Sequence, residues 1–281
     1  GLFMSIGIVT DSTCNLKSAE IEKLGVYIVS LYVNRSGKYT RALDLDLDSY
    51  YNELGTVAEL PTTSQPSPQD FMEAFDRALQ NFDVLVVPLI SGKLSGTFVS
   101  ASIASRDFDM PVHVIDTLLT ENGLGMLIRN LSKMIEEGSD TDTLVKYATD
   151  FYKKIRTIFS VDDLNYLYKG GRIGKAKALM GNLLKMKPVL QMDEGELKPV
   201  ENVRGNKKLL QSMVDHTLKG KDPAELKRVD IVYIKRSEDA TELKRILLER
   251  VPTVEVEISL IEPVIGTHLG PEGIGIISEW A

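Results

Sequence analysis

The stretch DVLVVPLISGKLSGT, residues 83–97, passes from an apolar run into a loop of serines and glycines. The run is short and rich in valine, leucine and isoleucine, which is typical of a buried β-strand. A helical pattern, TFVSASIASR at 97–106, begins where the loop ends. The stretch therefore predicts a strand, a polar loop and a helix in direct succession, as in an open α/β sheet.

The same alternation of strand-like and helix-like patterns runs through the first half of the chain. Apolar runs predict strands at 6–10, 26–33, 83–90 and 112–115. Amphipathic stretches between them, such as 68–80 and 120–137, predict helices. Strands that alternate with helices form βαβ units, so we expect a parallel sheet with helices on its faces.

The pattern changes after EEGSDTDT, residues 136–143. An antiparallel hairpin is predicted at 187–202, with its turn at Asp193, Glu194 and Gly195. The other predicted elements are helices at 141–155, 162–185, 206–219 and 239–250 and strands at 229–235, 253–261 and 273–278. We predict an α/β fold of two lobes, an N-terminal α/β lobe at 1–156 and a C-terminal α+β lobe at 157–281.

Composition and charge are those of an ordinary globular protein. Apolar residues make up 43% and charged residues 26% of the chain, which excludes the disordered and fibrous classes. The formal net charge is −7. We therefore expect no nucleic-acid partner, because phosphate binding needs clustered lysines and arginines.

The cysteine and histidine content argues against a Cys/His zinc site. The chain has one cysteine, Cys14, and the three histidines His113, His216 and His268. One cysteine forms no intramolecular disulfide, and this set lacks zinc-ligand spacing, so we expect no metal and a reducing compartment. The longest apolar run that we find, at 84–90, is far too short to span a bilayer, and we expect a cytoplasmic protein.

Hydroxyl-rich loops follow the predicted strands at the edge where open α/β sheets bind ligands. They are TDST at 10–13, SGKLSGT at 91–97 and DT at 116–117. The loop TTSQPS at 62–67 belongs with them: Ser67 suits a helix N-cap, Pro68 the first helical position and Asp70 a capping box. Thr62, Thr63 and Ser64 would then be held on a stiff support.

Ser95, Gly96 and Thr97 lie where the helix at 97–106 should begin. Backbone N–H groups and the helix dipole favour an anion at such a position, and glycine lets it approach closely. The alternative is that these residues only form a turn and a cap. Because several polar loops converge, we favour a binding site for a small anionic group.

Neither half carries a nucleotide or hydrolase motif. GGRIGKA at 170–176 lacks the spacing and the final Ser or Thr of a phosphate-binding loop, and GTHLGPEGIG at 266–275 lacks the dinucleotide spacing. KLSGT at 93–97 does not match the hydrolase nucleophile motif. We therefore expect no ATP or NAD cofactor.

These motifs, with VTDST and VIDT, occur in an order that resembles the DegV family, whose better understood members are the fatty-acid-binding B subunits of bacterial fatty acid kinase. The resemblance implies a two-lobed fold that encloses a fatty acid between or beside its lobes. Its carboxyl network would include Thr63, Ser95 and His268, with Ser64, Gly96 and Thr97 beside them. Arg172 and Arg204 match arginines associated with the kinase subunit and phosphoryl transfer.

The resemblance also implies a mode of action. The protein would carry a long-chain fatty acid as its ligand and present it to an ATP-dependent kinase subunit for conversion to acyl phosphate. It would not be an enzyme on its own, and transient contact with a membrane is compatible with this role. Two alternatives stay open: a stand-alone enzyme on a small carboxylate substrate, with Ser95 as nucleophile and His268 as base, and a lipid-responsive regulator.

Overall fold

The computed structural model describes residues 4–181 and 186–281. Its strands are β1 Ile6–Asp11, β2 Tyr27–Val29, β3 Tyr32–Arg35, β4 Lys38–Arg41, β5 Thr62–Ser64, β6 Val84–Leu89, β7 Val112–Asp116, β8 Ile155–Ser160, β9 Met186–Asp193, β10 Glu196–Arg204, β11 Leu226–Tyr233, β12 Glu255–Leu260 and β13 Ile274–Trp280. Its α-helices are α1 Ser18–Leu24, α2 Leu47–Glu53, α3 Pro68–Leu79, α4 Thr97–Ser105, α5 Glu121–Glu136, α6 Thr141–Asp150, α7 Asn165–Lys169, α8 Asn206–Leu218, α9 Ser237–Arg250 and α10 Pro263–Leu269.

A four-stranded parallel sheet in the order β2, β1, β6 and β7 forms the centre of the first half. All six residues of β6 are buried, as its uniformly apolar sequence requires. Helices α3 and α4 pack against this sheet through Phe71, Phe75, Ala101 and Ala104. The predicted parallel sheet with flanking helices is confirmed.

The start of α3 has the capping arrangement that the sequence predicts. Ser67 Oγ accepts a hydrogen bond from Asp70 N at 3.1 Å, and Asp70 Oδ2 accepts one from Ser67 N at 3.0 Å. Pro68 occupies the first helical position. Tyr32 OH also donates to Asp70 Oδ2 at 2.9 Å. These bonds fix the path of the chain between β5 and α3.

The single strand predicted at 26–33 is wrong. The chain forms β2 and then β3, which belong to different sheets, and β3 pairs with β4 and β5. The break occurs where Leu31 N donates to Ser12 Oγ at 2.9 Å. Since this N–H group is used by a side chain, it is not available to a strand ladder.

The second half contains a mixed sheet of six strands in the order β10, β9, β8, β13, β11 and β12. Strands β9 and β10 are antiparallel, with Asp193 opposite Glu196. Between them, Glu194 and Gly195 have φ values of 47° and 86°. Two successive left-handed residues are the signature of a tight hairpin turn, so the predicted hairpin is confirmed.

Two of the predicted helices are shorter than expected. The helix predicted at 141–155 ends at Asp150, and β8 begins at Ile155 after a short 3-10 helix. The helix predicted at 162–185 is divided into α7 and a 3-10 helix at Gly174–Leu179. Gly171, between them, and Gly174, the first residue of the 3-10 helix, have positive φ. Residues 182–185 of that prediction lie outside the described residues.

The six-stranded sheet and helices α8 and α9 enclose the core of the second half. Its buried side chains include Ile158, Met213, Ile231, Leu243 and Ile276. Strand β13 lies between β8 and β11 and is antiparallel to both. The helices formed by residues 4–181 and 186–281 include none with the length and hydropathy of a transmembrane span.

The chain forms two compact units that differ from the lobes predicted at 1–156 and 157–281. The first unit contains the residues up to Leu45 and Thr63–Tyr152, and the second contains Asp46–Thr62 and Lys153–Ala281. The segment Asp46–Thr62, which includes α2, belongs to the second unit because its tyrosines bind residues near α10, as described below.

Candidate functional site

Asp11 connects two of the loops at the carboxyl edge of the parallel sheet. Its Oδ1 accepts hydrogen bonds from Thr13 N at 2.8 Å and Thr13 Oγ1 at 2.6 Å, and its Oδ2 accepts one from Ile90 N at 2.7 Å. Burial raises the pKa of Asp11, while these three bonds oppose the rise. Asp11 thus holds the loop after β1 against the loop after β6.

Other polar residues of these loops also bond to the backbone. Thr10 Oγ1 donates to Pro88 O, and Thr117 Oγ1 donates to Leu89 O, both at 2.7 Å. Asp116 Oδ1 accepts from Gly92 N at 3.1 Å, and a Cβ on Gly92 would lie 2.7 Å from Asp116 Oδ2. These residues therefore build the edge of the sheet and position the loop that carries Ser95.

Ser95 and Thr97 form a hydroxyl pair at the start of α4. Their oxygens are 2.7 Å apart, and Thr97 N donates to Ser95 Oγ at 3.2 Å. Ser95 is partly exposed, whereas Thr97 is buried. Ser100 N donates to Gly96 O at the start of α4, and a helix leaves the N–H groups of its first turn without a partner inside the helix. In the loop before it, Leu94 N and Ser95 N both donate to Ser91 O. Hydroxyls and N–H groups of this kind suit a carboxylate.

The TTSQPS loop reaches the same helix end through Gln65. A Cβ on Gly96 would lie 2.7 to 2.8 Å from the Gln65 side-chain amide, so glycine is what allows this approach. Thr63 and Ser64, in β5, are partly buried just before Gln65. The first unit thus brings the predicted residues Ser95, Gly96 and Thr97 next to this loop. Gln65 was not among the predicted site residues, although it lies within the quoted motif.

His268 lies in the second unit, in the last turn of α10. Burial lowers its pKa to about 4, and the positive charge of Arg172 acts in the same direction. Its Nδ1 atom lies 2.5 Å from the point where a Cβ on Gly170 would be placed. The imidazole is therefore neutral at pH 7 and rests directly on the Gly170 backbone.

The two candidate arginines have different surroundings within the second unit. Arg172 is partly buried and donates from Nη1 to Gly170 O at 2.6 Å, and burial lowers its pKa. Arg204, at the end of β10, is exposed and forms no ion pair within 4–181 and 186–281. Arg172 and His268 are thus neighbours through Gly170, whereas Arg204 points to solvent beside the exposed Lys207 and Lys208.

Two tyrosines near His268 were not predicted. Tyr50 OH lies 2.5 Å from Thr267 Oγ1, and Tyr51 OH donates to Ile261 O. The helix that carries them has no sequence motif, and only its contacts in the folded chain reveal the connection. In the part of the chain that the structure describes, no group of three or more His, Cys, Asp or Glu residues has the arrangement of a metal site.

The DegV family model matches residues 5–279 of the chain. The chain belongs to the DegV family. A protein of Thermotoga maritima named fatty acid-binding protein is 32% identical over 279 residues, which cover 97% of this chain and 96% of the relative. Among solved structures, a fatty-acid-binding DegV family protein from Thermus thermophilus has a TM-score of 0.90 at 33% identity, covering 99% of this chain and 100% of that one. DegV of Bacillus subtilis, described as a fatty acid binding protein, has a TM-score of 0.89 at 30% identity, with the same coverage.

Proposed function

We propose that this DegV protein binds a long-chain fatty acid through the hydroxyl pair Ser95 and Thr97 at the start of α4. The observation that carries the proposal is this pair of oxygens 2.7 Å apart, next to the N–H groups of the first helical turn. It is supported by the fatty-acid-binding relatives named above. A buried carboxylate is costly unless its oxygens are paired, and these groups can pair them.

The acyl chain would supply most of the binding free energy. Burying a methylene gives about 0.8 kcal/mol, so a chain of about sixteen carbons gains on the order of 10 kcal/mol before ordering costs. The polar residues then determine which end of the ligand is held and where. We include Thr63, Ser64 and Gly96 with Ser95 and Thr97 in the carboxyl-binding set, and we also propose a carboxyl-binding role for the neutral imidazole of His268.

Mass spectrometry of the purified protein tests the binding proposal. Under native conditions the protein should carry added mass, and denaturing extraction should release a mixture of long-chain fatty acids. A stripped sample should take up added oleate. A folded sample that contains no fatty acid and takes none up would refute the proposal.

We further propose that the protein presents the carboxyl group to an ATP-dependent kinase subunit, which returns an acyl phosphate to it. Arg204, which is exposed and has no ion pair among the described residues, supports this role because its planar guanidinium can bind an acidic partner or phosphoryl oxygens. A separate kinase would also supply the ATP site for which the sequence has no motif. The proposal places the protein in the cytoplasm, with at most transient contact with a membrane.

The two alternatives give different results in one assay. A stand-alone enzyme would turn over a carboxylate substrate without a partner, yet the hydroxyl partner of Ser95 in the described residues is Thr97 rather than a histidine. A lipid-responsive regulator would bind the fatty acid but form no acyl phosphate when the kinase subunit and ATP are added. Formation of acyl phosphate only with both additions would support the carrier.

A further inference from the structure

Helix α10 is too short to fix the direction of His268 by itself. It has 7 residues, and isolated helices shorter than about 12 residues are marginal in water. Its first turn is capped locally, because Glu262 Oε2 accepts a hydrogen bond from Ile265 N at 2.9 Å. The end of the helix that carries His268 therefore depends on neighbouring elements.

Two adjacent tyrosines of α2 bind this segment at both of its ends. Tyr51 OH donates to the carbonyl oxygen of Ile261, just before α10. Tyr50 OH lies 2.5 Å from Thr267 Oγ1. Thr267 donates its hydroxyl proton to Pro263 O at 2.6 Å. Because a threonine hydroxyl has a single proton, Tyr50 is the donor in its bond to Thr267.

The two tyrosines are buried together, so the loss of either hydrogen bond would leave a buried hydroxyl without that partner. Tyr50 is 2% and Tyr51 3% exposed, and their ring centroids are 5.6 Å apart. The Tyr51 ring also packs against Gly266, where any side chain would overlap it. A buried hydroxyl that loses its partner is unfavourable, so this packing favours one position of α10 over others.

The contacts that α10 makes with α7 and the glycine after it require the same position of α10 that the tyrosines favour. His268 rests on Gly170, and Gly270 packs against the ring of Tyr166 at the distance that only a glycine permits. A small rotation of α10 would either push the imidazole into the Gly170 backbone or separate the two. The placement of His268 is therefore sensitive to the hydrogen bonds that α2 makes.

We propose that Tyr50 and Tyr51 are positioning residues for His268, which hold α10 so that the imidazole stays on Gly170 beside Arg172. This inference rests on the carboxyl-binding role proposed for His268, but the position of the ring can be tested without any ligand. The segment Asp46–Thr62 would then serve to hold α10 in place, because its helix α2 carries the two tyrosines.

Proton NMR of the His268 ring, with fatty-acid titration of the same samples, tests the inference. Tyr50→Phe and Thr267→Val each remove one side of the same hydrogen bond. Each should shift the His268 ring resonances, raise the pKa of His268 from about 4 toward 6.5, and weaken oleate binding roughly two- to tenfold. Thr267→Val also loses the bond to Pro263 O, so the double variant should do no more than Thr267→Val alone. Tyr51→Phe, which loses the separate bond to Ile261 O, should also shift the ring resonances.

Tyr147→Phe is the matched control, because the Tyr147 hydroxyl accepts a hydrogen bond from Asn130 Nδ2 at 3.1 Å in the first unit. It should leave the His268 resonances and oleate affinity unchanged. Unchanged His268 resonances in Tyr50→Phe would overturn the inference. If Tyr50→Phe does not fold, the same comparison with Thr267→Val decides whether the inference holds. If the parent binds no oleate, the proposed function fails, while the NMR comparison still decides the positioning role.

Discussion

The Nδ1 atom of His268 lies 2.5 Å from the position that a Cβ atom on Gly170 would occupy. Only glycine lets the imidazole approach the backbone so closely. The carbonyl of the same glycine accepts the hydrogen bond from Arg172. One residue without a side chain therefore fixes two candidate functional side chains.

We expect Gly170→Ala to displace His268. The added methyl group overlaps the ring, which should lower the free energy of unfolding by about 1 to 3 kcal/mol and weaken fatty-acid binding. Urea denaturation and a fluorescent fatty-acid titration measure the two effects. Gly171→Ala is the control, because Gly171 has a φ of 72° but its Cβ position has no neighbouring atom within 4 Å in residues 4–181 and 186–281. It should cost about 1 kcal/mol of stability and leave affinity unchanged. Equal affinity in both variants would contradict the prediction.

Ser95→Ala should weaken fatty-acid binding by about 1 to 3 kcal/mol, since it removes one hydroxyl of the pair and leaves a buried polar group without its partner. Thr63→Ala should act in the same direction. The matched control is Ser102→Ala on the same helix, where the hydroxyl donates to Phe98 O at 2.8 Å. Titration of the three variants, with folding checked by circular dichroism, gives the comparison. An effect of Ser102→Ala as large as that of Ser95→Ala would point to the helix rather than to the site.

The lowered pKa of His268 predicts a loss of stability in mild acid. Between pH 6.5 and about 4 the unfolded chain binds a proton at this residue and the folded chain does not. The contribution of His268 to the free energy of unfolding should therefore be fully present above pH 6.5. It should fall as the pH drops to about 4, by at most about 3 kcal/mol. Urea unfolding over this range should show a shallower pH dependence for His268→Gln. Parallel curves for parent and variant would refute the assignment.

Arg204→Ala should separate fatty-acid binding from phosphoryl transfer. The side chain is exposed and unpaired among the described residues, so its loss should leave stability and oleate affinity near those of the parent. Acyl phosphate formation with the kinase subunit and ATP should fall strongly. Arg245→Ala, an exposed arginine of α9 that pairs with Glu242 and Glu249, should leave it unchanged. Normal turnover of the Arg204 variant would remove this residue from the proposal.

Arg172→Ala should behave differently from Arg204→Ala. Arg172 is partly buried and bound to Gly170, so its removal also frees the backbone on which His268 rests. We expect lower acyl phosphate formation together with weaker oleate binding. Affinity equal to that of the parent would show that Arg172 acts on transfer alone.

Local sequence patterns were sufficient for the parts of the fold whose stabilising contacts lie close in the chain. The apolar run of β6 required a buried central strand, and Ser67 and Asp70 satisfy each other within one helical turn. Glu194 and Gly195 form their turn between paired strands that are adjacent in sequence. In each case the residues that determine the structure are near neighbours, so a pattern could reveal them.

The errors occurred where a distant residue decides the local structure. The strand predicted at 26–33 is interrupted because Ser12 binds Leu31 N, a contact that no pattern around Leu31 encodes. The candidate site shows the same limit. The motifs were sufficient to identify Ser95 and His268 as candidate residues. The burial of Arg172 and the approach of Gln65 to Gly96, in contrast, depend on how separate loops pack.

The long separation between α2 and α10 also bears on how the protein is made. A ribosome adds Tyr50 217 residues before its partner Thr267, and it adds β13 after β8 and β11, the two strands that β13 joins. Contacts across such separations form slowly, and domains usually fold as their own residues emerge. The second unit therefore receives the segment that contains α2 before any strand of its sheet, and its central strand β13 after the other five strands. Until then β8 and β11 lack their shared neighbour, and an unpaired strand edge is prone to pair with other chains.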